Sequence, residues 1–163
     1  MSLSNILNLI VYSSPLFNSH WAFWITSETN PRSGRVIHAT GDLLNGFKFE
    51  IKRNYKLDDE SRAYQIVPLG EISGNVPEPE IPSEIGTEET VIEISPRDRL
   101  ERLMKEVPVP GPSLRGSHGD GRRGVKIEVK DCQYWVHEVV TRLVNDGLLG
   151  HEALDTVDHA PKH

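Results

Sequence analysis

The chain has 163 residues, of which 37% are hydrophobic and 26% charged, a composition typical of one globular domain. Its 18 Lys and Arg residues against 24 Asp and Glu residues give a formal net charge of -6. This acidic balance argues against partners that bind a basic face, so we expect neither nucleic acid nor an anionic membrane surface as a partner.

The single cysteine, Cys132, excludes an internal disulfide, and we expect a reducing compartment. The longest apolar stretch, residues 6–16, is interrupted by Asn8 and Pro15 and is shorter than the ~20 residues of a membrane-spanning helix. The first ten residues lack the basic flank and cleavage site of a secretion signal. The sequence therefore predicts a soluble cytoplasmic protein without a membrane span.

The first third of the chain predicts a β-sheet. Residues Ile6–Tyr12 and His20–Thr26 are rich in β-branched and aromatic side chains, and a turn-rich loop at 27–34 leads to a third run at 35–40. Residues 47–53 alternate apolar and charged side chains, as a half-exposed strand does. Short strands are also predicted at 63–69, 90–94 and 125–129. Residues 90–94 are alternatively the approach to a helix.

Two helices are predicted in the second half of the chain. Ser95 is the expected N-cap of the first, because a proline and an acidic residue follow it at the spacing of a helix start, and the helix continues to about Val107. The second begins at Cys132, from which apolar side chains recur at intervals of three and four residues as far as Val144.

These elements predict a single α+β domain over residues 1–150, in which an antiparallel sheet packs with a few helices. The segments 73–89 and 108–124 are rich in Pro, Gly and charged residues and predict surface loops that wall a substrate channel. Residues 151–163 are polar and predict a flexible tail.

Cys132 is the candidate nucleophile because it opens the longest predicted helix. Free N–H groups and the helix dipole at such a position stabilise a thiolate. The residue also begins the apolar stripe, so a buried structural cysteine is the alternative interpretation. The neighbouring Asp131 disfavours the thiolate, unless its side chain turns away to cap the helix.

His20 and His38 are the candidate partners of this thiol, because both lie in predicted strands of one hairpin. With the hairpin loop centred near Thr29, they lie directly opposite each other, about 5 Å apart on one face of the sheet. One imidazole would accept the thiol proton while the other orients the first through a ring-to-ring hydrogen bond. Two half-buried packing histidines are the alternative.

Other interpretations of these side chains have less support. A zinc site from His20, His38 and Cys132 lacks a close-spaced ligand pair, and the Gly-rich segment 116–124 lacks the Lys-Ser/Thr ending of a phosphate-binding loop. We therefore predict neither metal nor cofactor. The tryptophans near the candidate triad are alternatively residues of the hydrophobic core. The residues predicted to contact substrate are Trp21, Trp24, Arg122, Gln133 and Trp135.

Three motifs together resemble the circularly permuted papain-like thiol enzymes. They are His20-Trp21-Ala22-Phe23-Trp24-Ile25, Val36-Ile37-His38 and Asp131-Cys132-Gln133-Tyr134-Trp135-Val136. The chain is most similar to the branch of lecithin:retinol acyltransferase and the H-Ras-like suppressor phospholipase/acyltransferases, within the NlpC-type peptidase superfamily. The resemblance implies a permuted papain-like fold with Cys132 as nucleophile, His20 as base and His38 as the orienting third member.

The chain departs from that branch at the start of the last helix, where Asp131 replaces an asparagine and Gln133-Tyr134-Trp135 replaces Glu-His-Phe. The predicted function is a cysteine-dependent hydrolase or acyltransferase that acts on an ester, thioester or amide through a Cys132 thioester, with a small-molecule or acyl/peptidyl substrate. The alternatives are a peptidase or isopeptidase on the same scaffold and a non-catalytic interaction protein that keeps the fold.

Overall fold

A computed structural model describes residues 6–14, 19–27, 32–73, 90–112 and 130–162. Within these ranges six strands form one antiparallel sheet. The strands are β1 (Ile6–Tyr12), β2 (His20–Thr26), β3 (Ser33–Asp42), β4 (Gly46–Lys56), β5 (Tyr64–Glu71) and β6 (Val91–Glu93). Their order across the sheet is β5-β1-β2-β3-β4-β6.

Three helices accompany the sheet in the described ranges, which confirms the α+β class and the antiparallel sheet. They are α1 (Arg99–Glu106), α2 (Cys132–Asn145) and α3 (Glu152–Asp158), and a short 3-10 turn covers Leu57–Asp59. Within the same ranges, no helix combines the length and the apolar character needed to cross a membrane.

The two faces of the sheet have different neighbours because side chains alternate along each strand. On what we term the helix face, residues such as Trp21, Phe23 and Ile37 form one buried cluster with Trp135 and Val139 of α2. The opposite face carries a smaller buried cluster. Its members are Ile10, Tyr12, Ala22, Trp24, Val36, Tyr55 and Leu57. We term it the histidine face, because the His20 ring stacks on Tyr12 at a centroid distance of 5.8 Å.

Helix α2 begins and ends as the sequence predicts. Asp131 is its N-cap and accepts hydrogen bonds from the N–H groups of Gln133 and Tyr134, so its side chain does cap the helix. At the other end, Gly147 adopts a φ of 77°, a left-handed conformation that glycine tolerates without strain.

The start of α1 differs from the prediction. Asp98, not Ser95, is the N-cap, and its carboxylate accepts the N–H of Glu101 at 2.8 Å. The carboxylate of Asp98 also binds Arg35 at 2.6 Å. This tertiary contact fixes the helix start three residues later than the local Ser-Pro pattern indicates.

Residues 151–163, for which the sequence predicts a flexible polar tail, instead contain α3. Ala153 and Val157 lie one helical turn apart and are buried in the main core together with Ala160. These apolar positions are small and few, so the surrounding polar residues conceal the pattern in the sequence. The predicted strand at 125–129 and residues 74–89 and 113–124 of the two predicted loops lie outside the described residues.

A buried ionic cluster attaches α1 to the sheet. Glu101 is 0% exposed and binds Arg53 at 2.6 and 2.8 Å, and it also binds Arg35. Both guanidinium groups are buried, Arg35 at 2% and Arg53 at 3% exposure. Because buried charges are expensive unless they are paired, Glu101 stabilises both arginines, Arg35 together with Asp98 and Arg53 together with Glu93.

Replacing Glu101 with Gln should therefore destabilise the fold by about 3–5 kcal/mol, since two buried guanidinium groups would lose their shared counter-charge. Urea unfolding measures the change. Glu106→Gln is the matched control on the same helix, because Glu106 is 57% exposed and its ion pair with Arg142 should contribute less than about 1 kcal/mol. Equal effects of the two substitutions would contradict this account.

Candidate functional site

The thiol of Cys132 lies where α2 meets the first residues of β2. Cys132 is 7% exposed, and its sulfur accepts a hydrogen bond from the backbone N–H of Trp21. The pairing of β2 with β3 runs only from Phe23↔Ile37 to Thr26↔Gly34, so the N–H of Trp21 lies outside this ladder. This N–H is therefore not part of the β2–β3 pairing and binds the sulfur instead.

Burial raises the pKa of the Cys132 thiol to about 11. The carboxylate of Asp131 acts in the same direction, whereas the N–H groups of Trp21 and Gln133 oppose it. At neutral pH the resting residue is thus a thiol. The N-terminus of α2 does not by itself generate the thiolate, because burial outweighs the hydrogen bonds.

His20 and His38 are in direct contact on the histidine face. His20 Nε2 lies 2.9 Å from His38 Nδ1, and the two rings meet edge to face at 71°. The register differs from the prediction, because Phe23 pairs with Ile37 and the two histidines are therefore diagonal neighbours rather than directly opposite. A shift of two residues keeps both side chains on the same face, so the contact is preserved.

Glu50 extends this pair into a chain of three groups. It pairs with His38 across β3 and β4, and its Oε1 lies 3.4 Å from His38 Nε2. A carboxylate can only accept, so His38 Nε2 carries the proton and His38 Nδ1 accepts from His20 Nε2–H. This assignment leaves the lone pair of His20 on Nδ1, so that nitrogen is the one that can accept a proton.

Both imidazoles are neutral in the folded protein. Burial lowers the pKa of His20 to about 3, and the neighbouring His38, Arg62 and Lys52 act in the same direction. Burial likewise lowers the pKa of His38 to about 3, with Lys52 and Arg62 as further causes. The resting site thus contains a neutral thiol and two neutral imidazoles.

Gln133 joins the helix that begins at Cys132 to the strand that carries His20. Its Nε2 donates to the carbonyl oxygen of Ser19 at 2.9 Å and to that of Lys162 at 3.1 Å. The N–H of Ser19 also donates to Lys162 at 3.0 Å, and Trp21 Nε1 donates to Pro161 at 2.7 Å. The segment after α3 therefore packs directly against the site.

A pocket of about 340 Å³ opens beside this junction. Trp21 and Gln133, two of the predicted substrate contacts, line it together with Asp131, Tyr134 and Lys162. The pocket thus lies next to residues that flank both Cys132 and His20 in the chain.

The other predicted substrate contacts lie elsewhere. Trp24 is 1% exposed on the histidine face and donates to Thr26, and Trp135 is 0% exposed in the main core and donates to Val107. These two indoles fill the core on each side of the sheet, and neither lines the pocket beside Gln133, so their contact with substrate stays a prediction. Arg122 lies outside the described residues.

Two residues of the site, Glu50 and Ser19, do not emerge from the sequence. The alternation of residues 47–53 assigns Glu50 to one face of its strand, but the partner on the next strand depends on the register. Over the part of the chain that the structure describes, no group of three or more His, Cys, Asp and Glu side chains could hold a metal ion.

Residues 7–150 match a family of unknown function, DUF6540. The chain belongs to this family. The chain matches no curated protein and no solved structure. The matched range includes the thiol, the two imidazoles and the carboxylate described above, namely Cys132, His20, His38 and Glu50. The segment after α3 lies outside it.

In this DUF6540 chain, Asp131→Asn should lower the pKa of the Cys132 thiol, because a carboxylate beside the sulfur is removed while asparagine caps a helix as well as aspartate does. The rate of iodoacetamide alkylation as a function of pH measures it, and the midpoint should move to lower pH. Asp146→Asn at the other end of α2 is the control. An unchanged midpoint in Asp131→Asn would refute the assigned role of Asp131.

The two buried imidazoles should also make the stability pH-dependent. Their pKa values are about 3 when folded and 6.5 in the unfolded chain, so only the unfolded chain gains protons as the pH falls below 6.5. The free energy of unfolding should therefore decrease from pH 6.5 towards pH 3.

His38→Gln removes one of these groups and should make that decrease shallower in urea-unfolding series at several pH values. His137→Gln is the control, since the His137 side chain is 45% exposed. Identical pH slopes in His38→Gln and the wild type would show that the pair is not buried in its neutral form.

Proposed function

We propose that this protein is a cysteine-dependent acyl-group enzyme, a hydrolase or acyltransferase that acts on an ester, thioester or amide. Cys132 is the nucleophile, His20 the base and His38 the group that orients it. The observation that carries the proposal is the polarised chain Glu50–His38–His20, which ends on a strand whose next residue, Trp21, binds the thiol sulfur.

The hydrogen-bond chain favours catalysis over simple packing because it sets a direction for proton transfer. Each donor in the chain points towards Glu50, so the base at its other end is His20 Nδ1. When His20 accepts a proton it becomes an imidazolium, and the carboxylate of Glu50 is the neighbouring group that favours that charge. A pair of packing histidines needs no carboxylate at one end.

The chemistry follows from these assignments. Cys132 transfers its proton to His20 Nδ1 as the sulfur attacks the carbonyl carbon, and the tetrahedral intermediate forms. His20 then gives the proton to the leaving alcohol, thiol or amine as the carbon–leaving group bond breaks, leaving an acyl-thioester. Water or an acceptor alcohol or amine, deprotonated by His20, attacks the thioester and restores the thiol.

The neutral resting state determines how this enzyme would work. With the thiol pKa at about 11 and the imidazole pKa at about 3, a stable thiolate–imidazolium pair does not form at rest. Proton transfer must then accompany attack on the carbonyl, as general-base catalysis requires. A bound substrate that excludes the remaining water and supplies its carbonyl beside the sulfur would promote that step.

The permuted papain-like fold is part of the same proposal. A β-strand imidazole, a second imidazole on the next strand and a cysteine at the start of a late helix occur here in the order of the lecithin:retinol acyltransferase branch that the sequence resembles. The raised thiol pKa favours the alternative of a non-catalytic interaction protein that keeps this architecture. Peptidase or isopeptidase activity remains the other alternative.

Alkylation of Cys132 by iodoacetamide at neutral pH, followed by mass spectrometry, tests the assignment of the base. His20→Ala should slow the reaction by about 10²-fold or more, because a positioned general base contributes that much. His38→Ala should slow it less, and His151→Ala, at an exposed histidine that does not line the pocket, should leave it unchanged. Equal rates in His20→Ala and the wild type would remove the basis for the proposal.

A screen of p-nitrophenyl esters against peptide amides distinguishes the two kinds of enzyme. Release of p-nitrophenol with an acyl group retained on Cys132 supports an ester- or thioester-directed enzyme, whereas cleavage of the amides alone supports the peptidase alternative. A wild-type protein that alkylates slowly and acylates with neither class supports the non-catalytic interpretation.

A further inference from the structure

Among the residues that the structure describes, the hydroxyl of Ser19, the residue before His20, is buried without a hydrogen-bond partner. Ser19 is 0% exposed, and among the described residues Arg35 Nε is the other buried side-chain atom in this condition. An unpaired buried hydroxyl destabilises the folded protein, because its lost hydrogen bonds to water are not replaced. A group that is unsatisfied in the free protein can be satisfied by a ligand, so this hydroxyl is a candidate substrate contact.

The backbone of Ser19 is fixed on both sides. Its N–H donates to the carbonyl of Lys162 at 3.0 Å, and its carbonyl accepts from Gln133 Nε2 at 2.9 Å. His20 follows Ser19 in the chain and Gln133 follows Cys132. Ser19 is therefore held between the strand of the base and the helix of the nucleophile.

The proposed reaction needs hydrogen-bond donors that the helix start does not supply in full. Two preorganised donors commonly stabilise the oxyanion of an acyl transfer. The N–H groups of Gln133 and Tyr134 donate to Asp131 at 3.1 and 3.2 Å, and the N–H of Trp21 donates to the sulfur. The side-chain N–H groups of Gln133 and Trp21 are bound to backbone carbonyls.

Two donors are candidates for the oxyanion. The N–H of Cys132 also donates to the sulfur at rest, but it belongs to the residue of the nucleophile itself and lies beside the atom that the carbonyl carbon would bind. The Ser19 hydroxyl is the other, because its proton has no acceptor among the described residues of the free protein. Together they provide the two hydrogen-bond donors that commonly stabilise an oxyanion.

We propose that Ser19 is a catalytic residue whose hydroxyl stabilises the oxyanion alongside the N–H of Cys132. It donates a hydrogen bond and transfers no proton, so the chemistry at Cys132 and His20 is otherwise unchanged. This inference rests on the proposed acyl chemistry. It also accounts for a hydroxyl that the free protein keeps buried and unpaired.

Two reagents with the same nucleophile test the role of Ser19. p-Nitrophenyl acetate acylates Cys132 through an oxyanion, whereas iodoacetamide alkylates it by displacement of iodide without one. Ser19→Ala should slow acylation by about 10²–10³-fold. It should leave the rate of alkylation within about twofold, since the thiol and its base are untouched.

Ser19→Ala should also leave the melting temperature unchanged or raise it, because the substitution removes an unpaired buried hydroxyl. Ser19→Gly, which also removes the hydroxyl, is a second variant. For each variant, the ratio of the acylation rate to the alkylation rate is measured on one folded sample and compared with that of the wild type. Ser33→Ala is the control, because Ser33 is also buried but lies at the far end of β3 from this junction.

Three results would overturn the assignment. Acylation of Ser19→Ala at the wild-type rate would show that the hydroxyl does not contact the oxyanion. An equal loss of both reactions would assign Ser19 to positioning the thiol instead. A wild-type protein that alkylates but does not acylate would refute the proposed function itself, and this outcome is recognised without any Ser19 variant.

Discussion

The attachment of the start of α2 to the first residues of β2 is the contact on which the candidate site depends. Ser19 and Gln133 are 114 residues apart in the chain, yet one side-chain amide joins them at 2.9 Å. The N–H of Trp21 reaches the Cys132 sulfur in the same place. This junction therefore places the helix of Cys132 against the start of the strand that carries His20.

Burial governs the proton chemistry of this junction. It raises the pKa of the thiol to about 11 and lowers those of both imidazoles to about 3, so every group of the candidate triad rests in its neutral form. Such a site does not store a reactive ion pair. Its reactivity would instead depend on a substrate that makes proton transfer and bond formation occur together, which limits reaction with unrelated electrophiles.

The residue pattern predicts the strands well because their determinants are local. β1 and β2 have the bounds that their β-branched and aromatic residues indicate, and Cys132 opens α2 as its apolar spacing indicates. Prediction fails where a distant contact decides the outcome. Arg35 binds Asp98 and shifts the start of α1, and the core accepts Ala153 and Val157 although their neighbours are polar.

The sequence alone determined which side chains are available for chemistry, namely one thiol and two histidines on neighbouring strands, because alternation along a strand fixes the face of each residue. The tertiary structure decided their partners. The register of β3 and β4 brings Glu50 to His38, and the packing of α2 on the sheet brings Gln133 to Ser19. Such pairings depend on the relative placement of whole elements, which no local pattern of residues encodes.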